Sequence, residues 1–284
     1  MLVSVNYASD GLPSGAHARE IALAAEYFPF IETFQVVVGS LEALDKVEAF
    51  RHLRSLSVSL ATNIDLCDVD SVLRRLLTRL PGLETLRLER CNGLRLSAIA
   101  KLCPNLKYLR LVGCAGSMDD VPLNVGAFPN LEVLEISMVH RKVSFIALFL
   151  AIRNTLRTAR FCHDDMCVEF LHYCAEQGER LPFQCLEELT LETGLSLPAL
   201  ELEPGNLHDV LKALPALRHL ETDSYDLRLF FENYCVPPGR VSLSWLTCVF
   251  CAVHKPADPQ LERIKKISKA MMSSSGKAGN SSMS

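Results

Sequence analysis

Apolar residues recur along most of this chain in one short pattern. Each copy has an apolar residue at its first, fourth and sixth positions. The clearest copies begin at Leu83, Leu106 and Leu131. The same frame gives about nine units, which begin at Ile31, Leu53, Leu83, Leu106, Leu131, Leu156, Leu186, Leu217 and Leu243. Successive units begin 22 to 31 residues apart, and a recurring period of this size indicates stacked copies of one supersecondary unit.

Each unit is predicted to contain one strand and one helix, which makes the fold α/β. Alternating apolar residues predict a strand whose fourth and sixth positions point inward. Two segments between strands have the i, i+3, i+4, i+7 spacing of a buried helix face, namely Leu73, Leu76, Leu77 and Leu80, and Leu207, Val210, Leu211 and Leu214. A proline two residues before the first repeat position ends the helix in five units, at Pro29, Pro81, Pro104, Pro129 and Pro215.

A cysteine stands at the ninth position in the segments LPGLETLRLERC (80–91) and LCPNLKYLRLVGC (102–114). These segments resemble the cysteine-containing leucine-rich repeats of ribonuclease-inhibitor-like proteins and, above all, the repeat region of F-box proteins. The resemblance covers roughly residues 28–251. It implies a leucine-rich-repeat solenoid shaped as a horseshoe, with a parallel concave sheet and helices on the convex side.

In that family the ninth position holds Cys or Asn, whose side chain satisfies backbone groups in the turn after the strand. Cys91, Cys114 and Cys251 match this position. The other units depart from it, with Gly39, Ala61, Val139, Asp164, Gly194 and Tyr225. Several turns are therefore expected to be built differently.

Three regions follow from this frame. Residues 1–27 are interpreted as an N-terminal cap or the remnant of a missing upstream segment, with one predicted helix from Ala16 to Tyr27. Residues 28–254 form the solenoid of about nine units. Residues 255–284 are predicted to be a short basic helix followed by a disordered Ser/Gly-rich tail. The resemblance implies an F-box before the repeats, so we expect an N-terminally truncated chain.

The side chains at the third, fifth and seventh positions are predicted to face the concave surface. The candidate partner-binding residues there are Arg87, Tyr108, Arg110, Glu135, Arg160, Glu188, Glu192, His219, Glu221, Asp223 and Trp245. Central units carry arginines and later units carry carboxylates, which predicts a bipolar face. Arg and aromatic side chains are favoured interface anchors. The alternative is a charged strand face that only keeps the protein soluble.

Composition narrows the classes of partner. The chain has 284 residues, 49% of them hydrophobic, a formal net charge of −4 and a pI near 6.1. This charge gives no bulk attraction to nucleic acid or anionic membranes, and neither is expected as a partner. Eleven cysteines without an N-terminal signal peptide are predicted to be reduced, largely buried thiols, which favours the cytoplasm or the nucleus.

Two groups of cysteine and histidine suggest chemistry. Cys248, Cys251 and His254 have a spacing compatible with zinc ligands, but the sixth and ninth repeat positions account for both cysteines. Cys162 and His163 could form a thiol nucleophile and its base. The following segment, however, has an apolar helix face composed of Cys167, Phe170, Leu171 and Cys174. We predict no catalytic residue, no metal site and no cofactor.

The sequence therefore predicts a protein–protein interaction scaffold and not an enzyme. The resemblance implies the substrate-recognition repeats of an F-box-type (SCF cullin-RING) ubiquitin ligase receptor, with a protein target on the concave face and a cullin adaptor bound through the F-box. A ribonuclease-inhibitor-like or GTPase-regulating binding protein with no ligase role is the second hypothesis. A thiol or zinc enzyme is the third. In each case the chain is expected to be a monomer or part of a larger complex.

Overall fold

The computed structural model describes most of the repeat region. The described residues are 6–7, 14–61, 68–91, 95–114, 123–137, 145–162, 164–178, 180–192, 204–234 and 241–245. The chain divides into two compact units, 1–246 and 247–284, and all described residues belong to the first. The predicted C-terminal helix and tail, with Cys248, Cys251 and His254, lie outside the described residues.

Within the residues that the structure describes, ten parallel strands form one sheet, and their order across the sheet is their order along the chain. The strands are β1 (Asn6–Tyr7), β2 (Thr33–Val38), β3 (Ser55–Leu60), β4 (Thr85–Glu89), β5 (Tyr108–Val112), β6 (Val133–Ser137), β7 (Thr158–Cys162), β8 (Glu188–Leu191), β9 (His219–Thr222) and β10 (Ser242–Trp245). Parallel neighbours cannot be joined by a tight turn, so a longer connection separates each pair.

Helices occupy most of these connections. They are α1 (Ser14–Tyr27), α2 (Leu41–Lys46) with a short 3-10 helix (Val47–Ala49), α3 (Val69–Arg79), α4 (Leu96–Leu102), α5 (Ile146–Ile152), α6 (Asp164–Gln177), α7 (Pro204–Ala213) and α8 (Tyr225–Tyr234). The five prolines identified above all lie in turns that precede a strand. The predicted α/β class is confirmed, and the predicted N-terminal helix corresponds to α1.

The strand register confirms the repeat frame for the eight units that begin between Ile31 and Leu217. Residues at the fourth position align across β2 to β9, and so do residues at the sixth. All sixteen of these side chains are at most 2% exposed. All of them except the buried, polar Thr222 belong to one hydrophobic core that also contains the apolar faces of the helices, so one face of the sheet is covered and the other is accessible.

The predicted frame of the last unit is wrong. Leu243 was expected at the first position, but it pairs with Leu220, which holds the fourth. Trp245 pairs with Thr222 at the sixth position, so it lies in the inward register row and not at the accessible third position. The alternation of this strand begins earlier, at the buried Val241. Leucine spacing fits both frames, and the backbone pairing with β9 selects one of them.

Strand β1 has only two residues and pairs with Gln35 and Val36 of β2. No repeat pattern predicts it. Across the part of the chain that the structure describes, no helix is both long enough and apolar enough to cross a membrane.

Candidate functional site

The accessible face of the sheet carries the third, fifth and seventh positions of each unit. Successive side chains of a strand point to opposite faces, so these positions alternate with the buried leucines. None of the ten candidate residues from Arg87 to Asp223 is fully buried. Trp245 is the exception to the predicted placement, because its register position belongs to the inward row.

An aromatic–cation pair lies near the middle of this face. The guanidinium of Arg87 on β4 is 4.9 Å from the ring centroid of Tyr108 on β5. The Tyr108 hydroxyl donates a hydrogen bond of 2.8 Å to Oε1 of Glu135 on β6. Partial burial, with added effects of the Glu135 carboxylate, raises the pKa of Tyr108. The tyrosine is therefore a neutral donor with a fixed orientation.

Ion pairs continue this network across the next strands. Nη1 of Arg110 is 3.4 Å from Oε2 of Glu135, and Glu135 pairs in register with Arg160 on β7. Nη2 of Arg160 is 4.0 Å from Oε2 of Glu192, just after β8. The net positive charge of the central units is thus smaller than predicted, because Glu135 lies between the two arginines and compensates part of their charge.

The last strands carry the acidic end of the face. Glu188 accepts a hydrogen bond of 3.4 Å from the Thr158 hydroxyl, and Glu221 accepts one of 3.4 Å from the Thr190 hydroxyl. In both contacts the donor is a neutral hydroxyl of the preceding strand. These contacts orient the carboxylates without neutralising them.

A shallow cleft of about 160 Å³ lies on the face between β5 and β8. Its lining includes Arg110, Glu135, Arg160, Cys162 and Glu192. A cleft of this size accommodates one polar side chain of a partner but not a drug-sized ligand, whose pockets are commonly about 300–1,000 Å³. The geometry favours recognition of a protein surface.

Cys162 does not have the properties of a nucleophile. Nε of Arg160 lies 3.4 Å from its sulfur, but burial outweighs this contact and raises the pKa of Cys162 to about 11. The thiol is therefore protonated at neutral pH, whereas reactive cysteines have depressed pKa values. His163, its proposed partner, lies outside the described residues. Within the residues that the structure describes, no group of His, Cys, Asp and Glu could hold a metal.

The ninth-position cysteines close the turns after β4 and β5. The Cys91 thiol donates to the carbonyl of Glu89 at 3.4 Å, and that of Cys114 donates to the carbonyl of Leu88 at 3.4 Å. The residue before each cysteine has a positive φ, 58° at Arg90 and 62° at Gly113. The positive φ turns the backbone so that the thiol of the next residue lies beside the strand carbonyls. The role that the resemblance implied for these two cysteines is thus present.

Sequence reasoning overlooked a second ordered row, at the second position of each unit. Charge alternates there along eight units: Glu32, Arg54, Glu84, Lys107, Glu132, Arg157, Glu187 and Arg218. Glu84 contacts Nη1 of Arg54 at 3.1 Å and Nζ of Lys107 at 2.8 Å. Reading the second position down the repeat frame would have revealed this charge ladder.

Comparison with known proteins gives no assignment. No protein-family model matches the chain, and a search of curated proteins also finds no match.

Proposed function

We propose that this chain is a protein-binding module of the leucine-rich-repeat type, folded as a horseshoe-shaped solenoid. The accessible sheet face is then its concave surface, and the helices lie on the convex side. Three observations support this architecture: the repeat period, the parallel sheet whose strand order follows the sequence, and the ninth-position thiols of Cys91 and Cys114 bonded to strand carbonyls.

The observation that carries the binding role is the network from Arg87 through Tyr108, Glu135 and Arg110 to Arg160. Each member lies at an accessible position, and the first four are oriented by contacts between adjacent strands. Arg160 is in register with Glu135 and contacts Cys162 and Glu192. Side chains that are ordered before binding lose less conformational entropy when a partner arrives. Arg and Tyr are also among the residues that most often dominate binding energy. The occupant is a protein surface of mixed charge laid across several strands.

We also propose that the module is the substrate-recognition region of an F-box-type cullin-RING ubiquitin ligase receptor, in the cytoplasm or the nucleus. The support is the resemblance of residues 80–91 and 102–114 to the repeats of that family. Those are also the units in which the structure has the buried thiol contacts. In this role the concave face binds the protein that is to be modified.

The test is affinity capture of the full chain from a cell lysate under reducing conditions, with mass spectrometry as the readout. The variant Arg87→Glu with Arg110→Glu reverses two charges on the accessible face. The control variant, Arg74→Glu with Arg75→Glu, makes the same charge change on helix α3, where both arginines pair with aspartates. We expect a target that the control retains and the face variant loses, recovered together with cullin adaptor components.

Other outcomes separate the alternatives. A target that is lost in the face variant but recovered without adaptor components would favour a ribonuclease-inhibitor-like or GTPase-regulating binding protein. A target retained by the face variant would contradict the binding face itself. The thiol-enzyme alternative has little support, because the raised pKa of Cys162 opposes thiolate formation.

A further inference from the structure

A patch of exposed apolar side chains lies between α1 and β2, away from the accessible sheet face. Tyr27 is 74% exposed, Phe28 46% and Phe30 75%. Leu23, one helical turn before Tyr27, is 42% exposed. We call these four residues the aromatic patch. Single exposed apolar residues are ordinary on protein surfaces, but contiguous exposed aromatics commonly mark interaction sites.

A cleft adjoins this patch on the side of the following units. The rings of Phe30 and His52 are 5.2 Å apart, and His52 also lines the cleft, whose volume is about 470 Å³. We call it the basic cleft, because its lining includes Arg51, His52, Arg54 and Lys107. The backbone of the turns and Asn105 complete it. The patch and the cleft thus form a continuous surface joined through His52.

The charge of the cleft is not balanced. Glu84 is the one acidic residue among its described lining residues, and it contacts both Arg54 and Lys107. The hydrogen bond from Lys107, together with the two positive charges, lowers the pKa of Glu84. Among the described residues no ion pair involves Arg51. Among the lining residues, three permanent positive charges therefore face one carboxylate, and Glu132, outside the lining, adds a negative charge near Lys107.

A neighbouring cleft on the helix side has a more even balance of charge than the basic cleft. It is lined by Asp45, Lys46, Glu48, Arg51 and Arg79, so its two carboxylates face three cations and it has a smaller excess of positive charge. Glu26 and Glu32, which lie within two residues of the aromatic patch, are exposed, and so is Arg19, one helical turn before Leu23. Positive charge is thus concentrated in the basic cleft, and apolar surface is concentrated beside it.

We propose that the aromatic patch and the basic cleft together form a docking surface for an acidic peptide segment of a protein partner. An apolar side chain of the segment packs on Tyr27 and Phe30, and its carboxylates pair with Arg51 and Arg54. Because the aromatic patch lies at one end of this surface and the basic cleft at the other, the segment binds in one direction only. This surface is separate from the accessible sheet face, so it adds a second contact to the proposed module.

The probe is a fluorescein-labelled peptide of about a dozen residues, with Phe and Leu at one end and a run of glutamates after them. One comparison peptide has lysine in place of glutamate, and another has glycine in place of Phe and Leu. Fluorescence anisotropy with the full chain at low salt measures binding. We expect the acidic apolar peptide to bind at least about tenfold more tightly than either comparison peptide, and salt to weaken its binding.

Variants of the chain locate the site. Arg51→Glu with Arg54→Glu, and separately Phe30→Ser, should each weaken binding of the acidic peptide by at least about tenfold. Arg157→Glu is the matched control and should leave binding unchanged. It holds the same repeat position as Arg54, is similarly exposed at 56% against 62%, and likewise pairs with a glutamate of the next unit. Circular dichroism confirms that each variant is folded.

Four results would overturn the proposal: no binding of the acidic peptide, equal binding of the lysine peptide, binding that survives both variants, or loss of binding in Arg157→Glu. Sedimentation velocity tests whether a second copy of this chain occupies the surface instead. A concentration-dependent dimer that Phe30→Ser abolishes would make the surface an interface between two copies of this chain. None of these results depends on Arg87 or Arg110, so failure here leaves the proposed binding face untouched.

Discussion

The units around β4 and β5 and the units around β7 and β8 have the same strand register but different cores. In the first pair, leucines fill the inward positions at Leu86, Leu88, Leu109 and Leu111. In β7 the corresponding residues are Ala159 and Phe161. The alternation of apolar and polar positions is thus enough to keep the register, while the volume of each side chain can change between units.

Four buried phenylalanine rings pack together beside β7. Phe149 of α5 and Phe170 of α6 are fully buried, with ring centroids 5.3 Å apart. Phe170 is also 5.1 Å from Phe161 of β7 and 5.3 Å from Phe183. We call these four the aromatic core. Close packing of interiors requires that a small residue on the strand be compensated by larger ones opposite it.

The turns after the strands show a similar replacement. The unit of β7 has Asp164 at the ninth position, where β4 and β5 have Cys91 and Cys114. Cys167, one turn into α6, instead donates its thiol to the carbonyl of Phe161 at 3.3 Å. The Phe161 carbonyl also accepts the backbone N–H of Glu192 at 2.9 Å, so the thiol is a second donor to it, and the residue that supplies the thiol differs between units.

The largest effect is expected from the aromatic core. Phe170→Ala removes a ring that contacts three others, so it should lower the free energy of unfolding by about 3–5 kcal/mol. Phe170→Leu should cost less, because it retains part of the apolar volume and loses the ring–ring contribution of about 0.5–1.5 kcal/mol. Urea denaturation followed by circular dichroism measures both. A Phe170→Ala cost below about 1 kcal/mol would contradict the assigned role of the cluster.

A smaller effect is expected at the thiols that close the turns. Cys114→Ala removes the thiol donor to the carbonyl of Leu88 and should cost about 0.5–1.5 kcal/mol, and Cys167→Ala, which removes the thiol donor to the carbonyl of Phe161, should cost a similar amount. Cys185 is the control, because it is only partly buried and its contact is with Asn154 at the sheet margin. Cys185→Ala should change stability by less than about 0.5 kcal/mol. Equal costs at all three positions would show that the thiol contacts do not matter.

The smallest effect is expected on the charge ladder. Its two cationic neighbours lower the pKa of Glu84 in the folded chain, so this carboxylate stabilises the fold above its unfolded pKa. That contribution is lost as the pH falls through the folded pKa. Stability should therefore decline less steeply in acid for Glu84→Gln than for the original chain.

The control for the ladder is Glu187→Gln, since Glu187 contacts Arg157 at 2.9 Å whereas Glu84 contacts two cations. The two variants are compared by thermal unfolding between neutral pH and pH about 3. High salt should remove the difference, because these exposed charges are screened. A difference that persists in high salt would indicate that Glu84 acts through packing.

The sequence alone was enough to predict the α/β class, the frame of eight units and the inward and outward positions of strands β2 to β9. These features depend on local periodicity, which a strand with one buried face must obey. It also predicted the role of Cys91 and Cys114 through their resemblance to known repeats. The frame of the last unit could not be decided in this way, because the apolar spacing around Leu243 fits two registers and only pairing with β9 distinguishes them.

The tertiary structure decided how residues of different units combine. Three contacts between neighbouring elements illustrate this. They are the ion pair of Glu135 with Arg110, the hydrogen bond from the Cys167 thiol to the end of β7, and the ring contact of Phe30 with His52. The reach and orientation of side chains across a sheet determine such contacts, and no periodicity within a unit encodes them. The sequence thus determined which positions face outward, and the packed structure determined what those positions form together.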